Sequence, residues 1–383
     1  GDKRNVREII LKIIVTCAFG LESLVKRQLL DMGYENLNVN DGRIMLEGDE
    51  KDIAKLNINL RCADRVLIEL GNFKAVSFEQ LFKGVEKINW LDILEADSNF
   101  IVEGRSYKSK LFSIKDCQSI TEKAIIKSLQ KKYKVDWFSK SKGRFRIEVS
   151  LVKDICSITL DTSGDGLHKR GYRQDSVLAP IRENLAAGII DLSFANSDRP
   201  FVDLFCGSGT FAIEAARKFR NIAPGIDRKF DFINFNDKFN NAYKQERTKA
   251  LESVDYDKKI DIFASDVDGS AIEKAIANAE NSGVREDIRF VTRDFRNVVL
   301  NDNYFVLISN PPYGKRLGER QEAEKIYNDL GIKMAKFKSS SQYIITDCEE
   351  FEKFYDKKAS KNRKMYNGNM KCYLYQYFGP RPK

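Results

Sequence analysis

The stretch "FVDLFCGSGTFAIEAARKF", residues 201–219, decides how the second half of this chain is read. It opens as a short apolar strand and turns at Gly207 and Gly209. It then continues with apolar residues at helical spacing from Thr210 to Phe219. Glycines between a strand and a helix let the backbone turn tightly and come close to a ligand. The spacing Gly207-x-Gly209-x-x-Ala212, with Asp227 about twenty residues on, also satisfies the dinucleotide-binding pattern. By itself the turn therefore suits a nicotinamide enzyme as well as other nucleotide binders.

Working outward, the same strand-then-helix unit recurs. "KIDIFASDVD" and "SAIEKAIANAENSG" form one unit, and "IRFVTRDF" is a further strand. "YFVLISNPP" leads through a loop to the helix "EAEKIYNDLGIKMAKF", and "SQYIITDC" is the next strand. "KMYNGNMKCYLYQYF" reads as a closing hairpin with Asn367-Gly368 at its turn. Repeated βα units predict an α/β fold with a parallel, doubly wound sheet, to which the hairpin adds an antiparallel edge. Ligands of such sheets bind at the carboxyl ends of the strands.

Acids occupy three of those ends. Asp203 precedes the glycines, where a carboxylate can hold the ammonium of an amino-acid moiety but would repel a pyrophosphate. Asp266 ends the next strand and can accept ribose hydroxyls; Asp294 follows the third and can take an adenine amine. A fourth strand ends in Asn310-Pro311-Pro312-Tyr313, where two rigid prolines hold an amide and an aromatic ring at the tip. This ordered series resembles the class I, Rossmann-like methyltransferases that use S-adenosylmethionine. In that family the Asn310 oxygen and Pro311 carbonyl would accept hydrogen bonds from a planar NH2 group while Tyr313 stacks on its ring. The resemblance assigns Asp203, Phe205, Gly207, Gly209, Asp266, Asp294, Asn310 and, at the start of a helix after Pro180, Glu183 to the cofactor. Cys206 reads as a packing residue in the turn rather than a nucleophile.

The first half has a different character. Strand, helix, hairpin (Asp41-Gly42 at its turn), helix and strand fill residues 1–70 in a ferredoxin-like order. Residues 71–162 add two helices and three strands. Residues 101–150 hold thirteen Lys or Arg against five Asp or Glu, an excess of eight in a chain of net charge +9. That concentration is the footprint of a phosphate-binding face. Arg105, Lys108, Lys110, Arg144 and Arg146 lie within it. Arg173, and Lys315 and Arg316 just after the Asn310–Tyr313 pincer for an NH2 group, are further phosphate candidates.

This half resembles a ferredoxin-like subdomain followed by a THUMP domain, an RNA-binding module of RNA-modifying enzymes. "HKRGYR", then "APIRENLAAGII", is similar to the joint before the catalytic domain of THUMP-containing guanine-N2 methyltransferases. The insert "NIAPGIDRKFDFINF" and the ending "MYNGNMKCYLYQYF" resemble the RlmL-type large-subunit rRNA enzymes. The resemblance implies a division at 1–70, 71–162 and 163–383 and transfer of a methyl group to guanosine N2. Some members of the family carry a second methyltransferase domain, and with the sequence stopping at Lys383 a single modification is expected. It implies 23S rRNA or a large-subunit assembly intermediate as the partner. A tRNA guanine-N2 enzyme, a DNA adenine-N6 enzyme and a dinucleotide-binding protein without transferase activity are the alternatives.

Composition sets outer limits. Seven scattered cysteines with no C-x-x-C pair suit a reducing cytoplasm, and give no zinc or disulfide framework. His168 is the sole histidine, so neither a metal site nor a Ser-His mechanism is expected. No membrane span and no secretory leader is expected either.

Overall fold

The structure, a computed structural model, describes residues 10–134, 142–173, 180–301, 303–314 and 317–380. Lys315 and Arg316 lie outside these residues. The elements fall into two seven-stranded sheets.

The first sheet is built from β1 (Leu11–Thr16), β2 (Asn38–Asn40), β3 (Arg43–Gly48), β4 (Arg65–Lys74), β5 (Ser98–Tyr107), β6 (Lys142–Val152) and β7 (Ile155–Asp161). Its order is β2-β3-β1-β4-β7-β6-β5. Helices α1 (Glu22–Asp31), α2 (Glu50–Asn59), α3 (Phe78–Glu86) and α4 (Ile114–Tyr133) connect these strands. Asp49 starts α2 with a reciprocal capping box to Asp52, which satisfies two donors that the first turn leaves open. The sheet runs unbroken across residue 70, because β4 pairs antiparallel with both β1 and β7. The ferredoxin-like and THUMP-like regions are thus one continuous hydrogen-bonded layer.

The second sheet has the order β10-β9-β8-β11-β12-β14-β13. Its parallel strands are β8 (Phe201–Asp203), β9 (Ile262–Asp266), β10 (Ile288–Thr292), β11 (Val306–Ser309) and β12 (Ser341–Thr346). The hairpin β13 (Lys361–Asn367) and β14 (Met370–Tyr377) adds the antiparallel edge, with Asn367 paired to Met370 across the turn. Every residue of β8, β11 and β12 is buried, as expected of parallel strands covered on both faces. Around the sheet lie α5 (Glu183–Leu192), α6 (Thr210–Phe219), α8 (Gly269–Asn281), α9 (Leu317–Met334) and the short α10 (Phe351–Tyr355), whereas α7 (Asp237–Glu252) packs on α2 of the first half. The strand order reverses between β8 and β11, so a crevice opens where Asp203 and Asn310 end adjacent strands. That position is what places the site.

The insert between α6 and β9 ties the halves together. Phe230, Phe232 and Phe235 are buried, and Phe235 stacks on Phe145 of β6 with centroids 4.9 Å apart. Arg228 donates from one nitrogen to the Gly166 and Lys169 carbonyls and from the other to Asp165 and Ser163. The segment around 163–173 is consequently a packed joint. Beneath it Arg170 and Glu214 pair at 3.4 Å, each side chain 1% exposed, and Tyr172 donates to the same carboxylate.

Candidate active site

Asp203 is fully buried at the end of β8. Its Oδ1 accepts from the Phe205 amide at 3.1 Å and from the Ser309 hydroxyl at 2.8 Å, whereas its Oδ2 has no partner among the described residues. Ser309 in turn accepts the Leu204 amide at 3.0 Å, so one hydroxyl locks the ends of β8 and β11 in register. Burial pushes the Asp203 carboxyl up to about 7; Ser309 and the Phe205 amide pull it down, and Asp266 pushes it further up. An orphaned buried carboxylate oxygen is a costly feature unless a cation completes it.

The glycine turn follows within the next few residues of the chain. Gly207 has φ of 51° with open space where a Cβ would stand, and its amide donates to Asp266 Oδ2 at 2.8 Å. Gly209 has φ of 86° and starts α6; a Cβ there would lie 3.0 Å from the Ala275 Cβ on α8. Glycine is therefore required at both positions, at the first for backbone conformation and at the second for close packing as well. Asn278 on α8 donates to the Ser208 carbonyl and holds the turn from behind.

Asp266 Oδ1 accepts the Asp268 amide at 3.0 Å. Asp294 accepts the Arg296 amide and pairs with the Arg296 guanidinium at 2.9 Å, and Arg296 also reaches Asp329. Each carboxylate oxygen keeps a second lone pair for a ligand. Phe205, two residues after Asp203, leans on buried Phe295, the neighbour of Asp294, with centroids 4.9 Å apart.

β11 ends at Ser309, one residue before Asn310. The Asn310 Oδ1 is buried and has no hydrogen-bond partner among the described residues. Pro311 is buried, and the Pro312 carbonyl is pinned at 2.9 Å by the hydroxyl of Tyr327, a buried residue of α9. Tyr313 is half-buried; burial drives its phenol well above the usual tyrosine range, with the Asn310 side chain acting the other way. The ring is thus a neutral phenol at any physiological pH.

Glu183 opens α5 as a buried carboxylate paired with Arg173 at 3.0 Å. Burial raises it, and Arg173 is the strongest influence lowering it. Arg173 also donates to the Thr210 hydroxyl at 2.7 Å, beside the glycine turn. The Arg173 guanidinium, 14% exposed, thus braces Glu183 and α6, while its Nη1 is buried without a hydrogen-bond partner among the described residues. Cys206 is buried with its thiol raised well above the usual range by burial, consistent with packing.

The basic segment is only partly free. Arg105 pairs with Glu148, Arg146 with Glu103 and Asp161, and Arg144 with Asp231 of the insert. Lys108 and Lys110 are exposed, with Lys108 over the Tyr107 ring at 5.2 Å. His168 is half-buried between the halves and is lowered to about 4, by burial first and then by Arg182, Arg170, Lys169 and Arg228. Sequence reasoning missed Ser309, Asn278 and Tyr327, whose roles lie in contacts across the fold.

Comparison with known proteins settles the family. Residues 170–376 match a model described as RMKL-like, methyltransferase domain. The chain belongs to this methyltransferase family. Residues 12–67 match the RlmL ferredoxin-like domain and 75–161 the THUMP domain. The chain is 41% identical over 368 residues to "Putative RNA methyltransferase YpsC" of Bacillus subtilis, covering 96% of this chain and 95% of that one. It is 32% identical over 350 residues to the ribosomal RNA large subunit methyltransferase K/L of Buchnera aphidicola, covering 87% of this chain but 49% of that longer protein. Among solved structures it is similar to a "putative methyltransferase complexed with SAH", with TM-score 0.92, 40% identity and coverage of 98% and 99%. A "predicted N6-adenine-specific DNA methylase from Listeria monocytogenes" matches with TM-score 0.93, 39% identity and 97% coverage of each chain.

Proposed function

We propose that this chain transfers a methyl group from S-adenosylmethionine to the exocyclic N2 amine of a guanosine in 23S rRNA. The observation that carries the reading is a pair of orphaned acceptors on adjacent strands. Asp203 Oδ2 and Asn310 Oδ1 are both buried and unpartnered in the crevice where the sheet reverses. The residues fit the cofactor. Asp203 would hold its ammonium, Gly207 would let the backbone approach, Asp266 would take the ribose and Asp294 the adenine amine. The cofactor supplies an electrophilic methyl on a sulfonium, whose C–S bond breaks with its electron pair going to sulfur as the new N–C bond forms.

Asn310 Oδ1 and the Pro311 carbonyl would accept the two amine hydrogens, and Tyr313 would stack on the base. An aromatic amine is a weak nucleophile because its lone pair is delocalised, and two fixed acceptors aim that pair at the methyl carbon. The contribution is orientation and electrostatic preorganisation. The amine then loses a proton to water, and no strong base is required. Tyr327 would keep the pincer rigid by holding Pro312.

The THUMP match, and the family members described as RNA and ribosomal RNA methyltransferases, favour RNA over DNA as substrate. The test is methyl transfer from labelled S-adenosylmethionine to undermethylated total RNA, with size separation and nucleoside analysis. N2-methylguanosine in the 23S band is expected. Label in tRNA would overturn the RNA class, and N6-methyladenosine would overturn the base.

A further inference from the structure

A cavity of about 1270 Å³ opens at the other end of the catalytic sheet, where the strands begin. Arg199 and Tyr304 in its wall precede β8 and β11, Ser341 opens β12, and Gln376 lies near the end of antiparallel β14. None of the residues assigned above to the cofactor or the pincer lines it. Its far side is closed by α1 and by the end of α5.

Two donors in that wall are unused. Among the described residues, Gln376 is 2% exposed and its Nε2 has no hydrogen-bond partner, and the Arg363 Nε is likewise buried and unpaired. The two residues share a face of the β13–β14 hairpin, where Arg363 is paired with Leu374 and Gln376 with Lys361. Neither Arg363 nor Lys361 forms an ion pair among the described residues, and the one carboxylate in the wall is Asp198. Two buried nitrogens without partners, on Arg363 and Gln376, thus stand beside the exposed ammonium of Lys361. Unpaired buried donors are costly unless a ligand that accepts hydrogen bonds completes them.

Aromatic rings stand beside these donors. Tyr343 and Phe378 are tilted against each other at 6.4 Å, and Phe378 is 55% exposed. Phe194 has φ of 54°, a conformation rare for a bulky residue, and leaves its ring 74% exposed at the mouth under the Arg27 guanidinium. The exposed rings of Phe194 and Phe378, with buried Tyr343 behind Phe378, beside this donor cluster match a planar base joined to a phosphate.

We propose that this cavity is a second nucleotide site, taking a nucleoside phosphate unit with its phosphate on Lys361, Arg363 and Gln376 and its base among Phe194, Tyr343 and Phe378. The unit comes either as a free nucleotide or as one residue of an RNA strand. The proposal stands apart from the methyl-transfer reading and does not depend on it.

The test uses the full chain saturated with S-adenosylhomocysteine, so that the cofactor site cannot report. Guanosine, the four nucleoside 5′-monophosphates and an RNA octamer are titrated by calorimetry against wild type, Arg363→Ala and Gln376→Leu. Saturable binding of at least one phosphate-bearing probe is expected, weaker by about tenfold or more in each variant, with guanosine weaker than its monophosphate. Gln376→Leu removes an unpaired amide and should fold at least as well as wild type, so its loss of binding cannot be ascribed to unfolding. Monophosphates binding as tightly as the octamer identify a free nucleotide; octamer binding alone identifies an RNA strand. Failure of every phosphate-bearing probe to saturate, or unchanged affinity in both variants, overturns the proposal.

Discussion

If Asp203 holds the cofactor ammonium as proposed, cofactor affinity depends on pH in a direction that can be worked out beforehand. Burial raises its carboxyl from 3.8 to about 7, so the ligand-free fold favours the neutral acid. A group raised in this way contributes stability fully below its unfolded pKa, and that contribution is lost as pH rises through the folded value. A shift of about 3 units corresponds to up to roughly 4 kcal/mol between the two limits. Cofactor binding has the opposite preference, because an ammonium at the orphaned Oδ2 requires the carboxylate.

Apparent affinity should therefore follow the ionised fraction. With a pKa near 7, that fraction falls from about one half near pH 7 to about 3% near pH 5.5, roughly a 16-fold weakening. The ligand's α-ammonium stays protonated across this window, since such groups titrate near 8. Calorimetry with S-adenosylhomocysteine on wild type and Asp203→Asn supplies the assay. The Asn variant keeps an acceptor for Ser309 and Phe205 but cannot ionise; it should bind weakly and without this slope. Equal slopes in both proteins, or no slope in wild type, would refute the assignment of the ammonium to Asp203.

Other expectations are tested separately. Asn310→Ala should reduce turnover by at least about a hundredfold, as loss of an oriented transition-state contact does, while calorimetry shows S-adenosylhomocysteine affinity largely intact. Asp266→Ala should weaken that affinity itself, and unchanged binding would reject its place at the ribose. Tyr327→Phe removes the bond to Pro312 and should cost about fivefold in kcat with little change in the cofactor KM; the two constants measured side by side decide it. Arg170→Ala leaves the Glu214 carboxylate buried without its partner, and urea denaturation should show a loss of about 3–5 kcal/mol.

The sequence by itself determined the element order and the chemistry of the strand ends. Apolar runs of period two and helical spacing are local properties, so the βα units, the Asp41-Gly42 and Asn367-Gly368 hairpins and the glycine turn were legible residue by residue. Acids at successive strand ends are also readable, because a parallel sheet brings carboxyl ends to one edge whatever packs around them. Short α10 was missed, since a single turn and a half carries too little periodicity to register. Tertiary structure alone decided the rest. That Arg173 pairs with Glu183 depends on which helix packs above it, and no spacing encodes that. The partial neutralisation of Arg105, Arg144 and Arg146 arises because pairing brings Glu148, Asp231 and Glu103 alongside. Ser309 reads as one more strand residue until β8 and β11 become neighbours. Its hydroxyl then satisfies Leu204 and half of Asp203, which leaves one carboxylate oxygen bare in the crevice. Burial and unpaired valence belong to the assembled fold; the sequence supplies only the groups that can acquire them.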